Sequence, residues 1–416
     1  MTLKRVVVTG LGAITPLGNS VEEYWSNLEK GVSGAAPVTR FDASLFRTTF
    51  ACEVKDFNSE DYFDRKEARK LDLFAQFGIV AADQAIADAN FSDSINKSRI
   101  GVVWGSGIGG ICSFQDQIID YTQGGFKPRF NPFFVPKMII DIVPGHISIR
   151  HGFMGPNFAT VSACASATNA LIDAYMYIQL NKADAIVAGG SEGSVNAASM
   201  GGFSAMKALS PNNDNAATAS KPFDVNRDGF VLGEGAGCLI LEELEHAKNR
   251  GATIYAEVVG SGLTADAHHI TAPHPDGTGA SEVMRLALED ANIKPADIDY
   301  INVHGTSTPL GDIAETKAIQ KVFGQDAYNL NISSTKSMTG HLLGAAGAIE
   351  ALALLMAINK SIIPPTINFE ESDPNIDSKL NFTFNKAQER EVNYALSNTF
   401  GFGGHNACIV LKKYES

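Results

Sequence analysis

Three short patterns occur twice in this chain of 416 residues, each time in the same order. That repetition limits the fold more than any single motif does. Ala87-Asp88-Ala89-Asn90-Phe91 followed by Ile100-Gly101-Val102-Val103 returns as Glu289-Asp290-Ala291-Asn292-Ile293 followed by Tyr300-Ile301-Asn302-Val303. The strand, corner and helix around Cys164 close on Ile178-Gln179-Leu180-Asn181-Lys182 and return over 332–360, closing on Ala357-Ile358-Asn359-Lys360. Ala185-Ile186-Val187-Ala188-Gly189-Gly190 returns as Tyr394-Ala395-Leu396-Ser397-Asn398. Short apolar runs bounded by glycine and alternating with helical periodicity predict a duplicated α/β unit with mostly parallel strands. The halves are expected at 1–252 and 253–416. Packed about a pseudo-twofold axis, they bring their corresponding corners, Cys164 and His341, face to face. A hydrophobic content of 44% is enough for a core of that size.

The first corner reads as follows. Phe158-Ala159-Thr160-Val161 is a short buried strand, and Leu171, Ile172, Tyr175 and Ile178 give the helix after it an apolar stripe. Between them Ser162-Ala163-Cys164-Ala165-Ser166-Ala167 holds small residues only, leaving room for a tight turn and for a substrate. The turn lifts the thiol off the backbone and sets it at a helix N-terminus, where the partial positive charge favours thiolate. A free cysteine is more commonly an inert buried residue, so Cys164 needs partners elsewhere to be read as a nucleophile.

Charge and cysteine usage narrow the classes. A net charge of -13 argues against nonspecific nucleic-acid binding and against an anionic membrane surface as main partner. Five cysteines, odd in number and without a C-x-x-C pair, suit reduced thiols in a cytoplasm better than disulfides or zinc. The N-terminal apolar run breaks too soon for a signal peptide, and no stretch of about 18 apolar residues is expected to span a membrane.

Two histidines stand in unusual settings. His304 ends the strand 300–303 and opens Gly305-Thr306-Ser307-Thr308-Pro309, a polar loop at the carboxyl edge of the sheet, where α/β sites lie. His341 lies between Thr335-Lys336-Ser337-Met338-Thr339-Gly340 and Leu342-Leu343-Gly344-Ala345-Ala346-Gly347. A helix N-terminus and Lys336 disfavour imidazolium there, so a neutral ring is expected. Cys164 with two such histidines points to thiol-ester chemistry. In Gly401-Phe402-Gly403-Gly404-His405-Asn406 the glycines let backbone N–H groups converge on an anion, and Phe402 is a bulky group on a flexible base. The loop is an oxyanion donor, a gate or both.

Other stretches are less specific. Gly105-Ser106-Gly107-Ile108-Gly109-Gly110 fits the dinucleotide fingerprint, but no helix of a βαβ unit with a well-placed acidic residue is expected after it. Asp224-Val225-Asn226-Arg227-Asp228-Gly229 starts like a calcium loop and lacks the closing glutamate, since Gly235 stands there. The basic cluster Arg65-Lys66-Glu67-Ala68-Arg69-Lys70 at the start of a helix over 71–89 is a candidate docking patch for an acidic partner. Residues 105–157, rich in glycine, proline and aromatics, are expected to shape a site or a subunit contact.

With the Cys164 corner, Val303-His304-Gly305-Thr306-Ser307-Thr308, Lys336-Ser337-Met338-Thr339-Gly340-His341 and Gly401-Phe402-Gly403-Gly404 in this order, the chain resembles the β-ketoacyl-acyl-carrier-protein synthases. The resemblance runs over essentially the whole length and implies the thiolase-like fold, two α/β halves in an αβαβα stack. The Cys-His-His set marks the elongating, decarboxylating members; initiating synthases have Asn in place of His341, and thiolases use a second Cys in place of one histidine. The resemblance implies that Cys164 carries the acyl chain and that His304 and His341 donate to the malonyl thioester oxygen. Phe402 supplies an oxyanion N–H, together with that of Cys164, and gates the pocket beside a mobile 264–274 loop. Lys336 and Glu350 support the histidines, and Ile108 tunes chain length in a tunnel reaching a dimer interface. Lys66, Arg69 and Lys70, with Arg129, form the docking patch for acyl carrier protein. No cofactor or metal is implied, and a homodimer is. Synthases of type I and polyketide ketosynthases share the triad. A thiol hydrolase would not need two convergent histidines, and a noncatalytic carrier-protein binder would not need Cys164.

Overall fold

The computed structural model describes residues 3–415. The first half supplies strands β1 (Val6–Ile14), β2 (Ile100–Gly105), β3 (Asn157–Thr160), β4 (Ala185–Glu192) and β5 (Gly235–Glu243). The second supplies β6 (Ala256–Ala265), β7 (Tyr300–Asn302), β8 (Asn331–Ser333), β9 (Tyr394–Gly401) and β10 (His405–Lys412). Their orders, β1-β5-β4-β2-β3 and β6-β10-β9-β7-β8, are the same. An antiparallel seam from Val6 opposite Val258 to Val8 opposite Ala256 joins them. The repeat read from three sequence echoes is therefore a repeat of topology.

The expectation of mostly parallel strands is corrected. Only β2 and β7 pair in parallel with both neighbours. β5 runs antiparallel to β1 and β4, and β10 to β6 and β9. Strands buried on both faces carry the same continuous apolar runs whichever way they point, so hydropathy does not report direction.

Six helices matter for the site: α1 (Leu73–Ala89), α2 (Ile111–Gln123), α3 (Ser166–Gln179), α4 (Thr278–Asp290), α5 (Pro309–Phe323) and α6 (Ala346–Lys360). α1 covers β1, β4 and β5 on one outer side; α4 covers β6 and β10 on the other, with α5 against it. α3 and α6 pack on each other in the middle and touch strands of both halves, which completes the αβαβα stack. One 18-residue window, Leu343–Lys360, does reach the apolarity of a membrane span, contrary to expectation, yet 83% of it is buried at this centre. It is a core helix flanked by protein on every side. The helix expected over 71–89 starts at Leu73, where Asp72 caps it by accepting the Phe74 N–H. The basic cluster therefore lies off it, on a separate short helix, Arg65–Ala68.

The central helices meet at backbone distance. A Cβ on Gly347, in the first turn of α6, would lie 1.9 Å from Thr168 Oγ1 and 2.9 Å from Thr168 N on α3. Gly347→Ala is expected to lower the unfolding free energy by ~1–3 kcal/mol through overpacking, read from denaturant midpoints. An unchanged midpoint would mean that the two halves separate freely at this contact.

Candidate active site

Each half leads into its central helix through the same strained turn. Ala163–Ala165 and Leu343–Ala345 are both single 3₁₀ turns, and Ala163 and Leu343 open them at φ 50° and 47°. Positive φ on a residue with a side chain is disfavoured and persists only where packing enforces it. The turns touch each other across the centre. The counterpart of Cys164 is thus Gly344, and His341 precedes it by three residues. The two corners still converge: His341 Nε2 is 3.1 Å from Cys164 Sγ. His304, just past the end of β7, sets its ring 5.2 Å from that of His341, nearly perpendicular to it. The His341 N–H donates to Val231 O at 2.7 Å, and Phe230 packs edge-on to its ring at 5.3 Å.

The three groups line a cavity of about 560 Å³, together with Ile108, Phe402 and Leu343. The Phe402 backbone N–H lies close enough to the Cys164 sulfur to favour its ionised form. Gly401 permits this approach, since a Cβ there would sit 2.6 Å from Ser162 O. Gly401-Phe402-Gly403-Gly404 forms the β9–β10 hairpin turn, and the Gly403 N–H donates to Ile270 O at 2.7 Å. The 264–274 loop, whose first two residues close β6, is therefore tied to the turn that carries Phe402.

Burial decides the protonation states. Cys164 is 7% exposed and its thiol is pushed up to about 12; the Lys336 ammonium and the Phe402 N–H pull the other way and do not prevail. The thiolate expected at a helix N-terminus is corrected to a resting thiol, because desolvation of the sulfur outweighs the terminal dipole. Both histidines are held well below the ordinary imidazole range, first by burial and then by Lys336, with His341 adding to the effect on His304. Two neutral rings face the sulfur.

Lys336 and Glu350 form an ion pair at 2% and 0% exposure. Burial lifts the Glu350 carboxyl to about 7 even beside that ammonium. Nothing in the local sequence marks Glu315, on α5, yet its carboxylate accepts the His304 and Gly305 N–H groups at 2.9 and 2.8 Å. It fixes the loop that presents His304, and burial lifts it to about 7. The one signal available was an acidic residue nearly two helical turns into α5.

The remaining expectations divide. A helix, α2, does follow the glycine motif 105–110, contrary to the reading above. The convergent amides are nonetheless occupied from within: the Gly107 and Ile108 N–H groups donate to Glu192 at 2.8 and 3.2 Å. No room is left there for a phosphate. In the calcium-like stretch, Asp224 Oδ2 accepts the Glu370 and Glu371 N–H groups at 2.7 and 2.8 Å, and Arg227 pairs with Asp312 and Asp373. Lys66, Arg69, Lys70 and Arg129 are exposed, and Lys70 Nζ lies 5.2 Å from the centre of the Phe133 ring, linking the basic cluster to the 105–157 excursion.

Residues 3–247 match the family described as beta-ketoacyl synthase, N-terminal domain, and residues 255–370 the corresponding C-terminal domain. The chain is 50% identical over 414 residues, 99% of each protein, to 3-oxoacyl-[acyl-carrier-protein] synthase 2 of Staphylococcus aureus (strain COL). Among solved structures it is similar to the ishigamide ketosynthase/chain length factor, with a TM-score of 0.93 and 34% identity over 99% of this chain and 100% of that one. It is also similar to a type II polyketide ketosynthase solved in complex with its acyl-carrier protein, at a TM-score of 0.90, 34% identity and the same coverage. With both domain descriptions matched and a half-identical relative aligned end to end, the chain belongs to the β-ketoacyl synthase family.

Proposed function

We propose that this protein is a β-ketoacyl-[acyl-carrier-protein] synthase of type II, which lengthens acyl chains by two carbons through decarboxylative condensation with malonyl-carrier protein in the cytoplasm. The observation that carries the reading is the desolvated set of one thiol and two neutral imidazoles at the base of one cavity. Identity of 50% to a 3-oxoacyl-[acyl-carrier-protein] synthase 2, against 34% to a type II polyketide ketosynthase, favours fatty-acid elongation.

In the first half-reaction Cys164 sulfur attacks the acyl thioester. Its proton passes to His341 Nε2, 3.1 Å away, and then to the departing carrier thiolate. The Phe402 N–H, near the sulfur, is the donor for the oxyanion of the tetrahedral adduct in this reading. In the second, His304 and His341 donate to the malonyl thioester oxygen. Neutral donors suit this role, because an imidazolium at rest would be a second desolvated cation beside Lys336. The bond to the malonyl carboxylate breaks, CO₂ leaves, and the enolate carbon attacks the acyl–Cys164 carbonyl. The C–S bond then breaks, and the Cys164 thiolate takes up a proton from water, which balances the one that left with the first carrier thiol. Lys336, balanced by Glu350, lends positive charge that opposes imidazolium and favours the developing anions. Ile108 borders the acyl end of the cavity, and the exposed Lys66, Arg69, Lys70 and Arg129 face an acidic carrier protein. The half-bare side chains of Phe126, Ile149, Met154 and Val161, 61–81% exposed, support a homodimer formed through the 105–161 region.

Mixing with long-chain acyl-carrier protein is expected to add one acyl mass at Cys164, absent in Cys164→Ala, and malonyl-carrier protein is expected to convert it to a 3-oxoacyl product two carbons longer. Release as free acid would make the protein a thiol hydrolase, and no adduct with any donor would overturn the nucleophile. Light scattering is expected to give twice the chain mass; the mass of one chain would contradict the dimer.

A further inference from the structure

Glu192, the last residue of β4, is fully buried and collects five hydrogen bonds from three separate segments. Its Oε2 accepts the Gly107 N–H at 2.8 Å and the Gly344 N–H at 3.0 Å. Its Oε1 accepts the Ile108 N–H, Ser106 Oγ–H and Ser194 Oγ–H, each at 3.2 Å. The first segment carries Ile108 into the cavity, and the second is the turn directly after His341. Glycine is required on both sides of the carboxylate: a Cβ on Gly344 would lie 2.1 Å from Gly107 N, and one on Gly107 would lie 2.9 Å from Glu192 Oε2. A buried carboxylate with this many donors is held by all of them at once, so a shift of one segment is felt by the others.

We propose that Glu192 is a positioning residue that couples the acyl-pocket wall at Ile108 to the His341–Gly344 turn, so that the length of the bound chain and the setting of the Cys164–His341 pair are fixed together. The role rests on the reading of Cys164 as the acyl acceptor. The charge of Glu192 also reaches the thiol, where it adds to burial in disfavouring thiolate, against Lys336 and alongside Glu350.

The test is acylation of wild type, Glu192→Gln and Ser194→Ala by long-chain and short-chain acyl-carrier proteins, together with the pH profile of Cys164 alkylation by iodoacetamide. In Glu192→Gln an amide NH₂ meets amide N–H groups, and the negative charge is gone. The ratio of kcat/KM for long over short donors is expected to fall by about ten-fold, the equivalent of one charge-assisted hydrogen bond. The alkylation profile is expected to move to lower pH, since removal of a nearby anion eases thiolate formation. Ser194→Ala, which keeps the carboxylate and removes one donor, is expected to change the length ratio in the same direction by less. It keeps the question answerable should Glu192→Gln fail to fold. An unchanged length ratio and alkylation profile in a folded Glu192→Gln, or an unchanged ratio in Ser194→Ala if that variant alone folds, would overturn the coupling. Failure of wild type to form any adduct would instead overturn the acyl-acceptor reading.

Discussion

The contact between the two turns Ala163–Ala165 and Leu343–Ala345 is the constraint on which the rest depends. Around it glycine is required at 107, 344 and 347, where a Cβ would fall within 3 Å of Glu192, of Ser106 and Gly107, and of Thr168 respectively. It also requires positive φ at Ala163 and Leu343, conformations that cost of order 1–3 kcal/mol each and persist only where surrounding packing enforces them. That packing is α3 against α6, the middle layer of the stack. The duplicated fold thereby delivers two loops that neither half could hold alone.

From this closeness follows the electrostatics. A sulfur and two imidazoles removed from water lose the solvation that would favour their charged forms, and the losses run in opposite directions: up for the thiol, down for the rings. All three come to rest neutral. One buried cation, Lys336, biases the whole set toward anionic transition states, and Glu350 keeps that cation from being unpaired. Around this pair, Glu315 secures the His304 loop and Glu192 the turn after His341, each through backbone N–H groups rather than through the reacting side chains.

Much of this was legible in the sequence, and the gaps have physical causes. The repeat was visible because the same buried strand and small-residue corner are needed twice. Strand direction was not, since β4 and β5 read alike as apolar runs although they oppose each other. Cys164, His304, His341 and Phe402 stood out by local context and do meet. The state of the thiol did not, because its burial comes from residues far along the chain, among them Phe230, Leu343 and His341. The fingerprint at 105–110 is set aside in the sequence for want of a βαβ helix with a well-placed acidic residue, whereas what occupies its Gly107 and Ile108 amides is Glu192, far downstream as the one charge in a wholly buried strand. That isolated charge was the only sequence signal for it.

The central claim is that His304 and His341 are neutral at rest, and imidazole NMR of ¹⁵N-histidine-labelled protein, assigned with His304 and His341 variants, tests it most directly. The account predicts that neither ring titrates between about pH 8 and pH 5, although a free histidine would charge in that range. Protonation of either ring near its ordinary value would contradict the account, because a charged imidazole beside Lys336 would mean that the site is wet.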